Sequence, residues 1–253
     1  MRLKKSGKYR KLVKKVKEGE ILIIPSDDRL VTEYDPPYVA GPRKLPSWFR
    51  SSPKEGIRKC AGVRNFLEAG VIVPSWTTFS FAPDNVNGDW TFSYPNIPEA
   101  DRQFSIEAFP YQATGSCPMT SIRQNERISY PKIITPYSFI TAPGWSVIIL
   151  GLLHEPNPNY DIISAIVHTD YYHQVNVVLN IKTDSSFKIY NSQPLFQLIP
   201  FKRSGDFRSI KFASEEYYKY SRFIDSDNIN PLSDNGYDNI ANEYRKLARR
   251  IND

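Results

Sequence analysis

Three histidines, His154, His168 and His173, fall within one short stretch that also carries Glu155 and Asp170. Imidazole and carboxylate together can ligate zinc or iron. The spacing argues against it. The run His168–His173, HTDYYH, reads as a tight hairpin between strands, where alternation sends neighbouring side chains to different faces. Neither an HxH strand nor an HExxH helix occurs. The expectation is therefore hydrogen-bonded surface or interface histidines, with no metal and no cofactor. Cys60 and Cys117 lack CxxC spacing and read as two free thiols.

A second cluster is made of charge alone. Residues 1–17 hold nine of the 33 Lys and Arg and no acid, which leaves 24 basic residues against 27 acids, about −3, for the remainder. Lys4, Lys5, Lys8, Arg10, Lys11, Lys14 and Lys15 thus form an arm able to meet nucleic acid, an anionic membrane or an acidic protein by screened attraction. Tyr9, Leu12, Val13 and Val16 share helical spacing within it. A solvated tail without a specific partner is the competing reading.

The elements that must position these groups are mostly strands. The 253 residues are 40% hydrophobic and 24% charged, which marks a globular chain. Twenty prolines against twelve glycines, with 16 Tyr and 14 Phe, favour strands and extended loops. No apolar run approaches the roughly 20 residues of a membrane span, and the basic start lacks the apolar core of a signal peptide. Glu20–Ile24 reads as a short strand, and the proline-rich stretch to Pro53 as an irregular arm. Within it Trp48 and Phe49 must dock on the chain's own body or on a neighbour. A helix over Ile57–Gly70 precedes one strand, Val71–Phe81. A turn at Asp84–Gly88 returns through Trp90–Tyr94, and Phe104–Phe109 is a further strand. From Lys132 two strands flank Ala142-Pro143-Gly144. Ile162–Val167, Val175–Ile181, Phe187–Ile189 and Leu195–Pro200 continue the series, as in a sandwich or barrel. Two helices are expected after Arg203, the last with Ile240, Tyr244, Leu247 and Ile251 on one face.

Three stretches, in order, resemble the dUTPase and dCTP deaminase superfamily. Pro143–Leu150, PGWSVIIL, is similar to the strand leading to that family's phosphate-contacting serine motif. Ser164–Val175, SAIVHTDYYHQV, is similar to its nucleoside hairpin, G-V-I-D-x-D-Y-x-G-E-V. Asn191–Pro200, NSQPLFQLIP, resembles its later K-G-x-x-x-x-Q-L segment. Ala69–Thr78, AGVIVPSWTT, resembles the first motif. The layout as a whole resembles an uncharacterised protein family of tailed phages of marine bacteria, through Ser47–Phe49, the IRKC segment followed by AGVIVP, the hairpin and the IPFKR ending, Ile199–Arg203.

These resemblances imply a mostly β chain with a dUTPase-like β-clip or distorted barrel core, an extended N-terminal arm and C-terminal helices. The implied boundaries are 1–56, 57–205 and 206–253. They also imply lost chemistry. The hairpin's first Asp, which serves the attacking water and the sugar, is His168, and the deaminase Glu is Gln174. Leu150–Glu155, LGLLHE, has no hydroxyl, arginine or lysine for a polyphosphate. His168, Asp170, Tyr171 and Gln197 are the candidate ligand-binding positions that the resemblance leaves. The competing reading makes Tyr171 a packing residue and Asp170 a turn residue bonding backbone N–H groups.

The leading expectation is a non-enzymatic viral β-module working by self-association and partner binding, in the virion or the host cytoplasm. A homotrimer is what the resembled fold commonly builds. Trp48, Phe49, Phe196 and Phe201, set beside polar linkers, need a neighbour's surface if the body is small. Other virion proteins, or an acidic surface meeting the basic arm, are the further partners expected. A nucleotide-binding or nucleotide-hydrolysing phage protein is the alternative. A nucleic-acid-binding accessory protein is a third reading, although no aromatic stacking platform accompanies the lysines.

Overall fold

A computed structural model describes residues 15–26, 28–53, 56–83, 90–93, 131–153 and 156–203. Lys4 to Lys14 of the basic arm, the expected turn at 84–88, the strand at 104–109, His154, Glu155, Cys117 and the helices after Arg203 lie outside these residues. Among those described, the chain is mostly β, in three antiparallel sheets with no closed barrel.

Twelve strands are described. In chain order they are β1 (Ile21–Pro25), β2 (Tyr38–Val39), β3 (Val71–Pro74), β4 (Phe79–Pro83), β5 (Trp90–Ser93) and β6 (Lys132–Thr141). There follow β7 (Trp145–Leu150), β8 (Tyr160–Ile162), β9 (Ala165–Val167), β10 (Gln174–Ile181), β11 (Phe187–Ile189) and β12 (Pro194–Lys202). One sheet runs β1-β6-β10-β8, the second β2-β3-β12-β7-β9, and a small third β11-β4-β5.

The chain divides into two units. The strands belong to one, built from the segment ending at Ala40 together with Ala69–Arg203. Segment 1–56, expected as arm and linker, therefore contributes two strands: β1 pairs with β6, and β2 with β3. Val16, placed by its spacing on the arm's apolar face, is buried.

Period-two patterning builds the main core. β10 buries Val175, Val177, Leu179 and Ile181 and leaves the intervening residues half-buried or exposed. β3 is apolar throughout because both of its faces are covered. Val71 and Val73 enter the main core, whereas Ile72 meets Ala40 and Leu152 in a smaller cluster. Pro136 lies within β6 and has no N–H to give the ladder. Opposite it the β6–β10 register shifts, and Thr135 Oγ1 donates to Val175 O at 2.9 Å. In the small sheet Phe81 stacks on Phe187 at 4.7 Å between centroids, with Trp90 edge-on at 5.9 Å.

Two segments that read as single strands are each two. Val71–Phe81 breaks after Pro74. Ser75 N donates to Gln193 O at 2.7 Å, and Ser75 Oγ to Thr77 O at 2.7 Å. Those bonds turn the chain, so β3 and β4 join different sheets. Ile162–Val167 likewise divides, with β8 pairing to β10 and β9 to β7. The expected hairpin over Ser164–Val175 is consequently a corner: β9 and β10 do not pair but belong to different sheets.

In the other unit, the stretch expected to be irregular holds a 3-10 turn, Pro42–Lys44, and a short helix, Ser47–Ser51. Ile57–Lys59 is a 3-10 turn, followed by the helix Ala61–Leu67. Phe49 is buried against Leu45 and Leu67, with Trp48 and Val63 packed alongside. Phe196 is fully buried in the main core. Neither Phe49 nor Phe196 needs a neighbouring chain to leave water, which corrects that part of the expectation.

Gly70 is fixed by two constraints. Its φ is +72°, and a Cβ there would lie 2.0 Å from Leu198 O, inside the β3–β12 ladder. Gly144 has φ +83° but nothing within 4 Å of such a Cβ. Gly70→Ala should therefore cost at least about 3 kcal/mol in urea denaturation, and Gly144→Ala only about 1–2 kcal/mol. Equal costs would show that the β3–β12 contact relaxes freely.

Candidate functional site

Two of the tight connections between the larger sheets come together at one place. Ala142–Gly144 joins β6 to β7, and His168–His173 joins β9 to β10. Arg203, the residue after β12, meets both.

The Asp170 carboxylate is the centre of this meeting. Its Oδ1 accepts from Arg203 Nη1 at 2.8 Å, and its Oδ2 accepts from Arg203 Nη2. Oδ2 also accepts from Gly144 N at 2.9 Å, while Arg203 N donates to Gly144 O at 2.8 Å. The Asp170 side chain is 3% exposed and that of Arg203 27%. Burial pushes the Asp170 carboxyl up. The hydrogen bonds from Arg203 and Gly144, with the guanidinium charge, outweigh it and hold the carboxyl below its ordinary value. Hydrogen bonding to Asp170 correspondingly raises Arg203.

The network continues through Ser146. Arg203 Nη1 donates to Ser146 Oγ at 2.7 Å and to Trp145 O at 3.1 Å. A guanidinium can only donate, so Ser146 Oγ accepts from Arg203, and the same hydroxyl is hydrogen-bonded to His168 Nδ1, 2.8 Å away. Beside it, Thr141 Oγ1 donates to Trp145 O at 3.1 Å, so the Thr169 hydroxyl donates to Thr141 Oγ1 at 2.7 Å. Thr169 O accepts from His173 Nδ1 at 2.6 Å.

Of the predicted ligand-binding residues, His168, Asp170 and Tyr171 come together, and Gln197 does not. Gln197 is fully buried in β12, its Nε2 donating to Ala69 O at 2.6 Å. Six residues of strand separate it from Arg203, about 20 Å at the usual rise. Tyr171 is exposed, with the Arg203 guanidinium carbon 5.6 Å from its ring centroid. Among the described residues no three His, Cys, Asp or Glu form a group that could hold a metal ion. Lys15 of the basic arm is exposed, as is Cys60.

Sequence reasoning missed Arg203 and Gly144 as partners of Asp170, and Ser146 as the partner of Arg203 and His168. The signals were the Arg closing IPFKR and the Ser within PGWSVIIL, but neither spacing reveals that the three segments converge. Chemically the cluster is closed. Ser146 is fully buried, and both Asp170 oxygens are committed inside the chain. The groups it turns to solvent are the His168 imidazole and the Tyr171 ring. Compared with protein-family models and with curated proteins, the chain matches none. Among the described residues no helix is long and apolar enough to cross a membrane.

Because folding lowers the Asp170 pKa, the unfolded chain takes up its proton first as pH falls. The stability that this carboxylate contributes is fully present above its unfolded value near ~3.9 and is lost as pH falls through the lower folded value. Arg203→Met should cost about 3 kcal/mol at pH 7, since it strands a buried carboxylate. The same variant should flatten the acid limb of stability against pH. Denaturant midpoints from pH 2 to 7 measure both effects; an unchanged acid limb would mean that the pair contributes nothing.

Proposed function

We propose that this chain is a non-catalytic β-module built on a dUTPase-like β-clip core, acting by self-association and partner binding as a phage virion or assembly component. The observation that carries the reading is the closure of Asp170. In the resembled family the hairpin carboxylates face substrate. Here the surviving carboxylate is spent on Arg203 and Gly144 behind a corner of the fold. His168, in the position of the catalytic Asp, is tied through Nδ1 to the buried Ser146.

Association is supported by the surface beside this corner. β9 ends its sheet, with β7 as its partner there. Ile166 on that edge, and Tyr171 and Tyr172 just beyond it, are each more than half exposed. An edge strand flanked by apolar side chains is a template for another chain, and a further copy supplies the same strand. The resembled phage family supplies the viral setting, and the resembled fold the expectation of three subunits.

Light scattering coupled to size exclusion should return three times the 29.1 kDa chain mass. Ile166→Asp combined with Tyr172→Ser should return the single-chain mass while leaving the thermal midpoint of the dissociated chain near that of the wild type. A wild-type monomer at tens of micromolar would sink self-association. With Mg²⁺ and dUTP or dCTP, turnover should equal the buffer blank. Turnover abolished by Asp170→Ala would overturn the non-catalytic reading and favour a nucleotide-hydrolysing protein.

A further inference from the structure

A cavity of about 340 Å³ opens where the end of β7 passes the start of β8, away from the Asp170 corner. Its floor is apolar and well packed: Leu152, Tyr160, Ile162 and Leu195 are each less than a tenth exposed. Its lip includes Leu153, which is 47% exposed. The volume falls at the lower end of the range of small-molecule pockets, which combine apolar walls with a few placed polar groups.

The polar side chains here include Asn157, whose Oδ1 accepts from Asn159 N, and the pair Lys182 and Asp161, joined by Lys182 Nζ donating to Asp161 Oδ1 at 2.8 Å. The pairing follows from the strands, because Asn180 lies opposite Asp161 in the β8–β10 ladder and Lys182 follows the end of β10. Two of the three ammonium protons and most lone pairs of the carboxylate remain for other partners. A donor and an acceptor therefore stand side by side above an apolar floor, and their charges cancel. An anion drawn by Lys182 would be repelled by Asp161, and a cation would meet the reverse. A neutral molecule with an adjacent N–H and C=O satisfies both without that penalty.

We infer that this cavity binds a small neutral amphiphile, a flat apolar body carrying a lactam- or amide-like edge that pairs with Lys182 and Asp161. The site is independent of self-association and asks no chemistry of the Asp170 corner. Gly151 lines it. A Cβ on Gly151 would sit 3.6 Å from the Ile162 Cβ, an ordinary contact, and Gly151 has no left-handed φ to strain a larger residue. A side chain there is added to the cavity lining beside Ile162.

The test uses the full chain with four probes of similar size, followed by heteronuclear NMR and calorimetry. The probes are 2-quinolone (a neutral lactam), naphthalene, 2-naphthoate and 2-naphthylmethylammonium. The expected result is saturable binding of 2-quinolone, tightest of the four, with shifts at residues 151–153, 160–162 and 182. Gly151→Val should weaken it at least tenfold and Lys182→Met about fivefold, with thermal midpoints within a few degrees of wild type. Gly151→Ala serves if the valine variant does not fold, and should weaken binding about threefold. No saturable binding by 2-quinolone, equal or tighter binding of either charged probe, or binding unmoved by both substitutions would overturn the inference.

Discussion

The carboxylate of Asp170 and the guanidinium of Arg203 lie 33 residues apart in the chain, and their pairing holds together two of the places where it changes sheets. Gly144 supplies a backbone N–H to one partner and a carbonyl to the other. Removing either charged group would strand the other in a largely dry corner, the costly way to break a buried pair. Ser146, fully buried on β7, accepts from the same guanidinium and is hydrogen-bonded to His168 Nδ1. The connections β6–β7 and β9–β10 are thus held by one hydrogen-bonded network. Such networks specify a single arrangement when every member is satisfied.

That use of Asp170 goes with the building of Ser164–Val175 as a corner rather than a hairpin. A hairpin would keep β9 and β10 side by side and leave the turn open to a ligand. Here β10 takes its partners from β6 and β8, and β9 from β7. The turn between them is drawn inward by Asp170. Tyr171 and Tyr172, which follow immediately, are left facing outward. Inward carboxylate and outward aromatics are consequences of one placement.

Apolar residues near the N-terminus find their burial in the chain itself. Phe49 and Leu67 pack together in their unit, and β1 and β2 complete sheets in the other. Burying a side chain of that size contributes about 1.5–3 kcal/mol, enough to order short helical turns that propensity alone would not hold. Glu18, just past the basic arm, reaches Lys202 at 3.0 Å across exposed surface, a contact that adds little by itself.

The strands of the main β region were legible because burial on one face imposes alternation, as in Val175–Ile181, and because proline and glycine mark the turns that separate strands. The class, mostly antiparallel β, follows from those local rules. Strand partners were not legible. Val71–Phe81 reads as one strand in the sequence, yet Ser75 bonds to Gln193, over a hundred residues away, and sends its halves to different sheets. At the site, His168, Asp170 and Tyr171 lie together because they are neighbours in sequence. Gln197 lies apart from them and Arg203 was overlooked for one reason: one is on β12 and the other just past its end, and only the register of β12 against β7 and β3 decides which end meets Asp170. Local sequence sets which faces are apolar. Pairing between distant strands, whose backbone hydrogen bonds are alike at every register, decides which polar side chains meet.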